Sequence, residues 1–335
     1  MSLRSHFDAS IANDRLAQTT GMRAHAFERS GPAIERAKGV APAARIWQES
    51  TMLASLLALG ASFGWGVSDF LGGLKGRSSP VLAILLVSQA TALAVLAAFV
   101  AVIGEGPPAT QYIVLAAAAG LGETVGVAAL YRGLASGMMS IVAPIANIAP
   151  VVPLAVGVAL GEVPGPIQVA GLVLVVVGIV LTSYQPRAGG ATGPRRRASV
   201  VYGLLSALGF GIFFTAMDGA SEGAIPWGLL VARSSAVAAI AAVGVVLVAV
   251  KRSRLAVRAR DLPVLALIGG LIVASDSMYA VASTVGLLGV VAVLSALHPV
   301  VTVGLARVYL HEPIERIQYL GIAICMCGVV AITAG

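Results

Sequence analysis

Three ionisable side chains stand deep inside apolar stretches of this sequence: Glu123, Asp276 and Arg233. An ionisable group at the depth of a bilayer is unfavourable by several kcal/mol unless it faces a partner or a wet cavity. Burial disfavours the charged form of a carboxyl group, so Glu123 or Asp276 could load and release a proton. The alternative is a structural acid that holds helices together by hydrogen bonds.

Arg233 cannot readily lose its proton and therefore needs an anion. Three arrangements satisfy it, and the sequence leaves all three open. The guanidinium pairs with Glu123 or Asp276, or it binds a substrate carboxylate in a bidentate fork, or it snorkels to the membrane interface.

An aromatic residue and an acid recur four positions apart, as Trp65 with Asp69 and as Phe214 with Asp218. Residues at this spacing share one face of a helix. Symmetric placement of the two pairs suits gates on opposite sides of a cavity, with the ring as the plug. Anchoring at the membrane interface is the competing interpretation.

Prolines are predicted to kink two membrane segments, Pro144 and Pro150 the fourth and Pro299 the ninth. Membrane helices tolerate such breaks where partners or cavity water satisfy the freed carbonyl groups. The polar side chains beside the breaks, and two tyrosines on the third and eighth segments, complete the binding candidates. These are Asn147, His298, Tyr131 and Tyr279.

The composition of the chain predicts the helices that position these side chains. The chain is 58% hydrophobic and 11% charged, whereas a soluble domain carries about 25% charge. Crossing a bilayer takes roughly 20 apolar residues, and continuous apolar runs indicate helices, not barrel strands. The sequence predicts ten such helices, at about 51–74, 80–103, 111–133, 138–160, 166–184, 200–220, 226–250, 263–285, 287–310 and 316–334.

These helices form two copies of one unit. Residues match at an offset of 149, as in Asp69 and Asp218 or Pro150 and Pro299, and later at 150, as in Glu162 and Glu312. A fixed offset over half a chain indicates internal duplication. Because each copy holds an odd number of helices, the second enters from the opposite face. We therefore expect an all-α integral membrane protein with ten transmembrane helices as two inverted five-helix repeats.

The predicted domains are the first repeat at 51–184, a basic loop at 185–198 and the second repeat at 199–335. A polar tail at 1–50 precedes them and is expected to be disordered.

All Lys and Arg of the connecting loops fall on alternate loops, and the loops around Glu105, Glu162, Glu222 and Gly286 have none. We call these faces the basic side and the Lys/Arg-free side. By the positive-inside rule the basic side is cytoplasmic, which puts both termini outside.

The second repeat resembles the C-terminal half of an EamA module, a building block of the drug/metabolite transporter superfamily, and the first repeat resembles it too. The resemblance is carried by residues 294–303 (LSALHPVVTV), 310–313 (LHEP), 318–321 (QYLG), 130–134 (LYRGL), 142–144 (VAP) and 149–152 (APVV). It implies a carrier of small metabolites, commonly amino acids or related compounds, that works without ATP hydrolysis as a proton-coupled carrier or a facilitator. This chain departs from the family in two respects: relatives are generally described with both termini in the cytoplasm, and His311 stands where Gly is more frequent.

The sequence favours a secondary transporter that moves a small polar metabolite or a drug-like molecule by alternating access. A flippase for a lipid or polyprenyl lipid, or a non-transporting sensor on the same scaffold, is the alternative. An enzyme is not expected, because no Ser–His, zinc-binding or clustered-Asp constellation occurs. We expect no catalytic residue, metal site or cofactor, and Cys325 and Cys327 point to different faces of one helix.

The expected partners are a small-molecule substrate, membrane lipids and protons. The formal charge of +7 is explained by anionic headgroups, so no nucleic acid is expected. The protein is predicted to lie in a bacterial inner membrane. It is predicted to be a monomer or a homodimer.

Overall fold

The computed structural model describes residues 33–76, 78–136, 139–184, 194–250, 257–311 and 315–334. Gly137 and Glu312, which belong to the sequence repeat, lie outside the described residues, as do several arginines of the basic loops. The helices of the described residues are α1 (Ala33–Gly76), α2 (Val81–Ile103), α3 (Thr110–Ser136), α4 (Met139–Ala146), α5 (Val151–Ala159), α6 (Pro166–Thr182), α7 (Pro194–Ser221), α8 (Ile225–Ala249), α9 (Leu262–Val285), α10 (Leu288–Ser295), α11 (His298–Leu310) and α12 (Arg316–Ala334).

The prediction of an all-helical membrane protein is confirmed. Nine helical segments of the described residues are long and apolar enough to cross a membrane, and Pro166–Thr182 is a shorter apolar helix. The fourth and ninth segments each consist of two short helices, α4 with α5 and α10 with α11. The helix α1 begins at Ala33, earlier than the predicted start near residue 51, so residues 33–49 of the predicted tail are helical.

Helices α6 and α12 show that the repeats are inverted. Gly171 and Gly321 are equivalent in the two copies, as are Gly178 and Gly328. In the fold, however, Gly171 lies against Gly328 and Gly178 lies against Gly321. Because the first glycine of each helix lies against the second glycine of the other, these two equivalent helices run antiparallel. The contact is tight, because a Cβ atom on Gly178 would come within 2.7 Å of the Gly321 carbonyl oxygen.

The first helix of each repeat packs into the other repeat. In the second repeat, α7 runs along α3 and also contacts α4 and α5. Gly211 of α7 lies against Val152 of α5, and Gly66 of α1 lies against Val301 of α11. Val152 and Val301 are equivalent at the offset of 149. The two copies therefore interlock, and groups from both can meet near the middle of the bundle.

Loop contacts agree with the two sides assigned from charge. Lys75 forms an ion pair with Asp261 at 2.7 Å, which joins the end of α1 to the segment before α9 on the basic side. The Trp227 indole donates a hydrogen bond to the Glu105 carbonyl oxygen at 3.0 Å, which joins the start of α8 to the loop after α2 on the Lys/Arg-free side. Helix direction and loop charge thus give the same alternation of the chain across the membrane.

Candidate substrate and ion site

The site is centred on Arg233 of α8, whose side chain is almost completely buried. Its Nη2 donates to an oxygen of Asp276 on α9. Its Nη1 donates to Glu123 Oε1 on α3 at 3.1 Å and to the side-chain oxygen of Gln89 on α2. Of the three arrangements open at the level of sequence, the structure therefore has an internal ion pair, and it is formed with both acids. We call these four residues the ion cluster.

Close helix packing brings the ion cluster together. Gly120 of α3 lies against the Ala232 backbone of α8 with no room for a Cβ atom. Glu123 follows Gly120 by almost one turn, and Arg233 follows Ala232 directly. The two charged side chains therefore start from backbones in contact and meet without either having to extend far.

The indole of Trp65 on α1 provides a further contact of the first repeat with Asp276 of the second. Its Nε1 donates to Asp276 Oδ1 at 3.0 Å, so both carboxylate oxygens of Asp276 accept hydrogen bonds. Glu123 differs, because its Oε2 is buried and has no hydrogen-bond partner. With all three groups ionised, two carboxylates face one guanidinium, and the ion cluster carries one surplus negative charge.

A cavity of about 200 Å³ leads to the ion cluster. It lies between α2 and α3 of the first repeat and α8 of the second. Gln89 and Glu123 are deepest in the protein, whereas Val81 and Val243 at the other end are 45% and 53% exposed. Val81 begins α2 directly after a basic loop, so the mouth is on the basic side. The lining residues are Val81, Leu82, Leu85, Gln89, Glu123, Thr124, Val127, Ala128, Ile240 and Val243.

Four aromatic rings pack beside Asp276. Trp65, Phe213, Phe214 and Tyr279 have ring centroids 5.1–6.1 Å apart. The Tyr279 hydroxyl is buried and donates to the Phe214 carbonyl oxygen at 2.8 Å. This aromatic cluster, which combines side chains of both repeats, fills the space next to the acid. The gate candidates Trp65 and Phe214 therefore lie in one cluster, and not at opposite ends of a cavity.

Comparison with known proteins identifies the family. The sequence model of the EamA-like transporter family matches residues 52–184 and again 197–334, one match for each repeat. The chain belongs to the EamA-like transporter family. It is therefore a multi-pass membrane transporter of the drug/metabolite type, and the family is one of transporters, not of enzymes.

The fold is also found among solved structures. A crystal structure described only as that of a protein is 17% identical to this EamA-like chain and matches it with a TM-score of 0.69. The match covers 85% of this chain and 97% of the other. At this level of identity the likeness concerns the fold alone. A comparison with curated protein sequences found no match.

The remaining candidates of this EamA-like protein have other surroundings. Asp69 of α1 contacts His298 of α11, with 2.9 Å between the carboxylate oxygen and the ring nitrogen, and both side chains are partly exposed. Asp218 is half-buried near the end of α7. Tyr131 is 41% exposed on α3. The Asn147 amide donates to the Ser183 hydroxyl at 2.6 Å, so it serves a contact between helices.

The prolines lie at the breaks of the two discontinuous segments. Pro144 is inside α4, and Pro150 directly precedes α5. Pro299 is the second residue of α11, one position after His298. The four residues between α4 and α5 and the two between α10 and α11 are turns. His298 therefore stands where the ninth segment changes from one short helix to the next.

Two residues were missed at the level of sequence. Gln89 was not among the candidates, although an amide in an apolar segment needs a partner. Glu162 was treated as a loop motif, yet its carboxylate accepts hydrogen bonds from the backbone N–H groups of Leu288 at 2.5 Å and Gly289 at 3.3 Å. It thereby caps the positive end of α10 in the other repeat. No group of three or more metal-ligating side chains occurs among the described residues.

Proposed function

We propose that this protein is a secondary transporter that moves a small polar metabolite or a drug-like molecule by alternating access, with proton exchange at the ion cluster. The observation that carries the proposal is the buried contact of Arg233 with both Glu123 and Asp276 at the deep end of a cavity. The cavity is built from both repeats, so a change in their relative position would change the access to it.

Charge balance supports proton coupling. Two carboxylates around one guanidinium leave one negative charge uncompensated, and the buried Glu123 Oε2 has no donor. A proton on Glu123 would neutralise the ion cluster and supply the missing hydrogen bond. A substrate that compensates the same charge would compete with the proton, and such competition is the basis of exchange through a single site.

The two sides of the molecule support alternating access. On the Lys/Arg-free side, Glu162 joins the repeats through α10, which is completely buried. On the basic side, the cavity has an exposed mouth, and α11 has no buried residue. Because the repeats are inverted copies, exchanging their conformations would close the basic side and open the other.

The test is transport by the full-length protein in liposomes with and without a pH gradient, across a panel of amino acids and drug-like cations. We expect the gradient to drive accumulation of at least one compound by the wild type. Glu123→Gln and Asp276→Asn should each abolish this gradient-driven accumulation. Glu105→Gln, which alters a carboxylate in a loop of the Lys/Arg-free side, is the matched control and should transport like the wild type.

The amide variants keep the size and hydrogen-bonding shape of the acids, and a melting curve of each variant reports whether it is folded. Folded variants that retain the full gradient-driven flux would contradict proton exchange at the ion cluster. Absence of flux for every compound in the wild type, in vesicles shown to hold a pH gradient, would contradict the assignment as a gradient-driven transporter of these classes.

A further inference from the structure

We propose that the cavity takes an apolar amine: a molecule with one protonated amino group, an apolar body and no carboxylate. The inference rests on the proposed function, in that the cavity beside Glu123 is taken to be the substrate site. It narrows the substrate class from small polar or drug-like molecules in general to organic cations of this type.

The surplus negative charge of the ion cluster determines the sign of the charge that the ligand carries. Arg233 is the only cation of the ion cluster, and it already contacts Glu123 and Asp276. A carboxylate ligand would add a third anion around one guanidinium. A cation compensates the surplus instead, because an opposite charge close to a carboxylate stabilises its charged form. Arg233 is also absent from the cavity wall, so a ligand meets Glu123 first.

The unpartnered oxygen of Glu123 determines where the cationic group binds. Glu123 lines the cavity, and its Oε2 is buried without a hydrogen-bond donor. Buried polar atoms nearly always have a partner, so this oxygen is an open acceptor. An ammonium group donates up to three hydrogen bonds. One can go to Glu123 Oε2 once a rotation of the side chain brings that oxygen to the cavity surface, and the side chains of Gln89 and Thr124 offer further oxygens in the same wall.

The rest of the cavity determines the nature of the ligand body. Apart from Gln89, Glu123 and Thr124, all lining side chains are aliphatic. Such a wall leaves a hydroxyl or carboxylate without partners, which is unfavourable, but it stabilises hydrocarbon. The volume of about 200 Å³ lies below the range of roughly 300–1,000 Å³ typical of drug-sized ligands. The body is therefore small, of the order of one ring or a short alkyl chain.

The experiment measures binding of three probes with the same phenyl-alkyl body to the full-length protein in detergent. The probes are 2-phenylethylamine as the cation, phenylalanine as the zwitterion and 3-phenylpropionate as the anion. At about pH 8 an alkylamine is protonated and carboxylates are ionised. Calorimetric titration gives the dissociation constant of each probe without any need for transport.

We expect 2-phenylethylamine to bind about tenfold or more tightly than either carboxylate-bearing probe, as one charge-assisted hydrogen bond requires. Glu123→Gln should weaken amine binding by a similar factor, and Glu105→Gln should leave it unchanged. Val127→Phe fills the cavity without altering its charge and should also weaken amine binding. This second variant keeps the test valid if Glu123→Gln does not fold.

Equal or tighter binding of phenylalanine or 3-phenylpropionate would overturn the proposal, as would absence of amine binding. Amine binding that neither Glu123→Gln nor Val127→Phe changes would overturn it as well, because the amine would then occupy another place. Failure here is distinct from failure of the proposed function. A protein that drives a different compound with a pH gradient but binds no amine is still a proton-coupled transporter. A protein that binds the amine in the cavity but transports no compound is not a proton-coupled transporter.

Discussion

Helices α10 and α11 are two halves of one membrane segment, and their surroundings differ sharply. All eight residues of α10, Leu288–Ser295, are buried. In α11, His298–Leu310, none is buried. The buried half contains only Leu, Gly, Val, Ala and Ser, whereas the other half also contains His298, Thr302 and Arg307, so the more polar half is the one that is less buried. The environment of each half depends on what the other repeat places against it.

The two halves are joined to the other repeat by contacts of different kinds. The half-buried Glu162 carboxylate caps α10 on the Lys/Arg-free side through two backbone N–H groups. The partly exposed pair of Asp69 and His298 joins α1 to α11 towards the basic side. The two repeats are thus joined on the Lys/Arg-free side by a charge at a helix end, and towards the basic side by a partly exposed contact that water weakens.

The largest effect is expected from Arg233, whose side chain contacts acids of both repeats. Arg233→Met removes the cation and leaves the carboxylates of Glu123 and Asp276 without a compensating charge. Breaking a buried ion pair in this way is unfavourable by about 3–5 kcal/mol. We expect a large loss of thermal stability and no transport, measured by melting curves and by flux in liposomes. A melting temperature equal to that of the wild type would show that the ion cluster does not hold the repeats together.

The contact on the Lys/Arg-free side is tested by Glu162→Ala, which leaves the N–H groups of Leu288 and Gly289 without their acceptor. A hydrogen bond to a charged group contributes about 1.5–3 kcal/mol, so we expect an intermediate loss of stability. Hydrogen exchange should accelerate in α10 and change little in α11. Glu105→Ala on the same side is the control. Unchanged protection of α10 in the Glu162 variant would rule out the cap as its closing contact.

Equivalent turns on the two sides allow a matched pair of substitutions. Gly161 has φ 98° on the Lys/Arg-free side, and the equivalent His311 has φ 54° on the basic side. The left-handed region is unfavourable for a residue with a Cβ atom by about 1–2 kcal/mol. We therefore expect His311→Gly to raise the melting temperature and Gly161→Ala to lower it. The same sign for both changes would contradict backbone strain at His311.

The smallest effect is expected at the contact between Asp69 and His298. Ion pairs that are open to water contribute about 0.2–1 kcal/mol. His298→Asn, which keeps a polar side chain at the break, should therefore change the free energy of unfolding less than Glu162→Ala does. Chemical denaturation of both variants measures the difference. Equal losses would mean that the two sides are held equally firmly, and the comparison between them would fail.

Much of the fold could be predicted from the sequence, because the signals for it are local or periodic. Apolar runs of sufficient length gave ten membrane segments, and the offset of 149 with an odd number of helices gave the inversion. The family was recognised from motifs such as 294–303, which lies inside the second family match. The sequence did not show that His311 has a positive φ, a conformation that the equivalent Gly161 adopts without strain.

The candidate site was predicted only in part, because it depends on which helix faces meet. Glu123, Asp276 and Arg233 were selected as buried charges, but the sequence could not decide between an ion pair, a substrate contact and snorkelling. That decision rests on the contact of Gly120 with Ala232, two residues on different helices. The same reason explains why the hydroxyl of Tyr279, a predicted cavity group, is bound to the Phe214 backbone.

The most direct test of an opening on the basic side compares two engineered cysteines in the ninth segment. In a background with Cys325→Ala and Cys327→Ser, Ser295→Cys and Thr302→Cys place a thiol in α10 and in α11, seven residues apart. The measured quantity is the rate of alkylation by a water-soluble maleimide, without substrate and at neutral pH. Ser295 is completely buried and Thr302 is not, so we expect the thiol at position 302 to react much faster. Equal rates, or faster reaction at position 295, would contradict a bundle that is closed on the Lys/Arg-free side and open on the basic side.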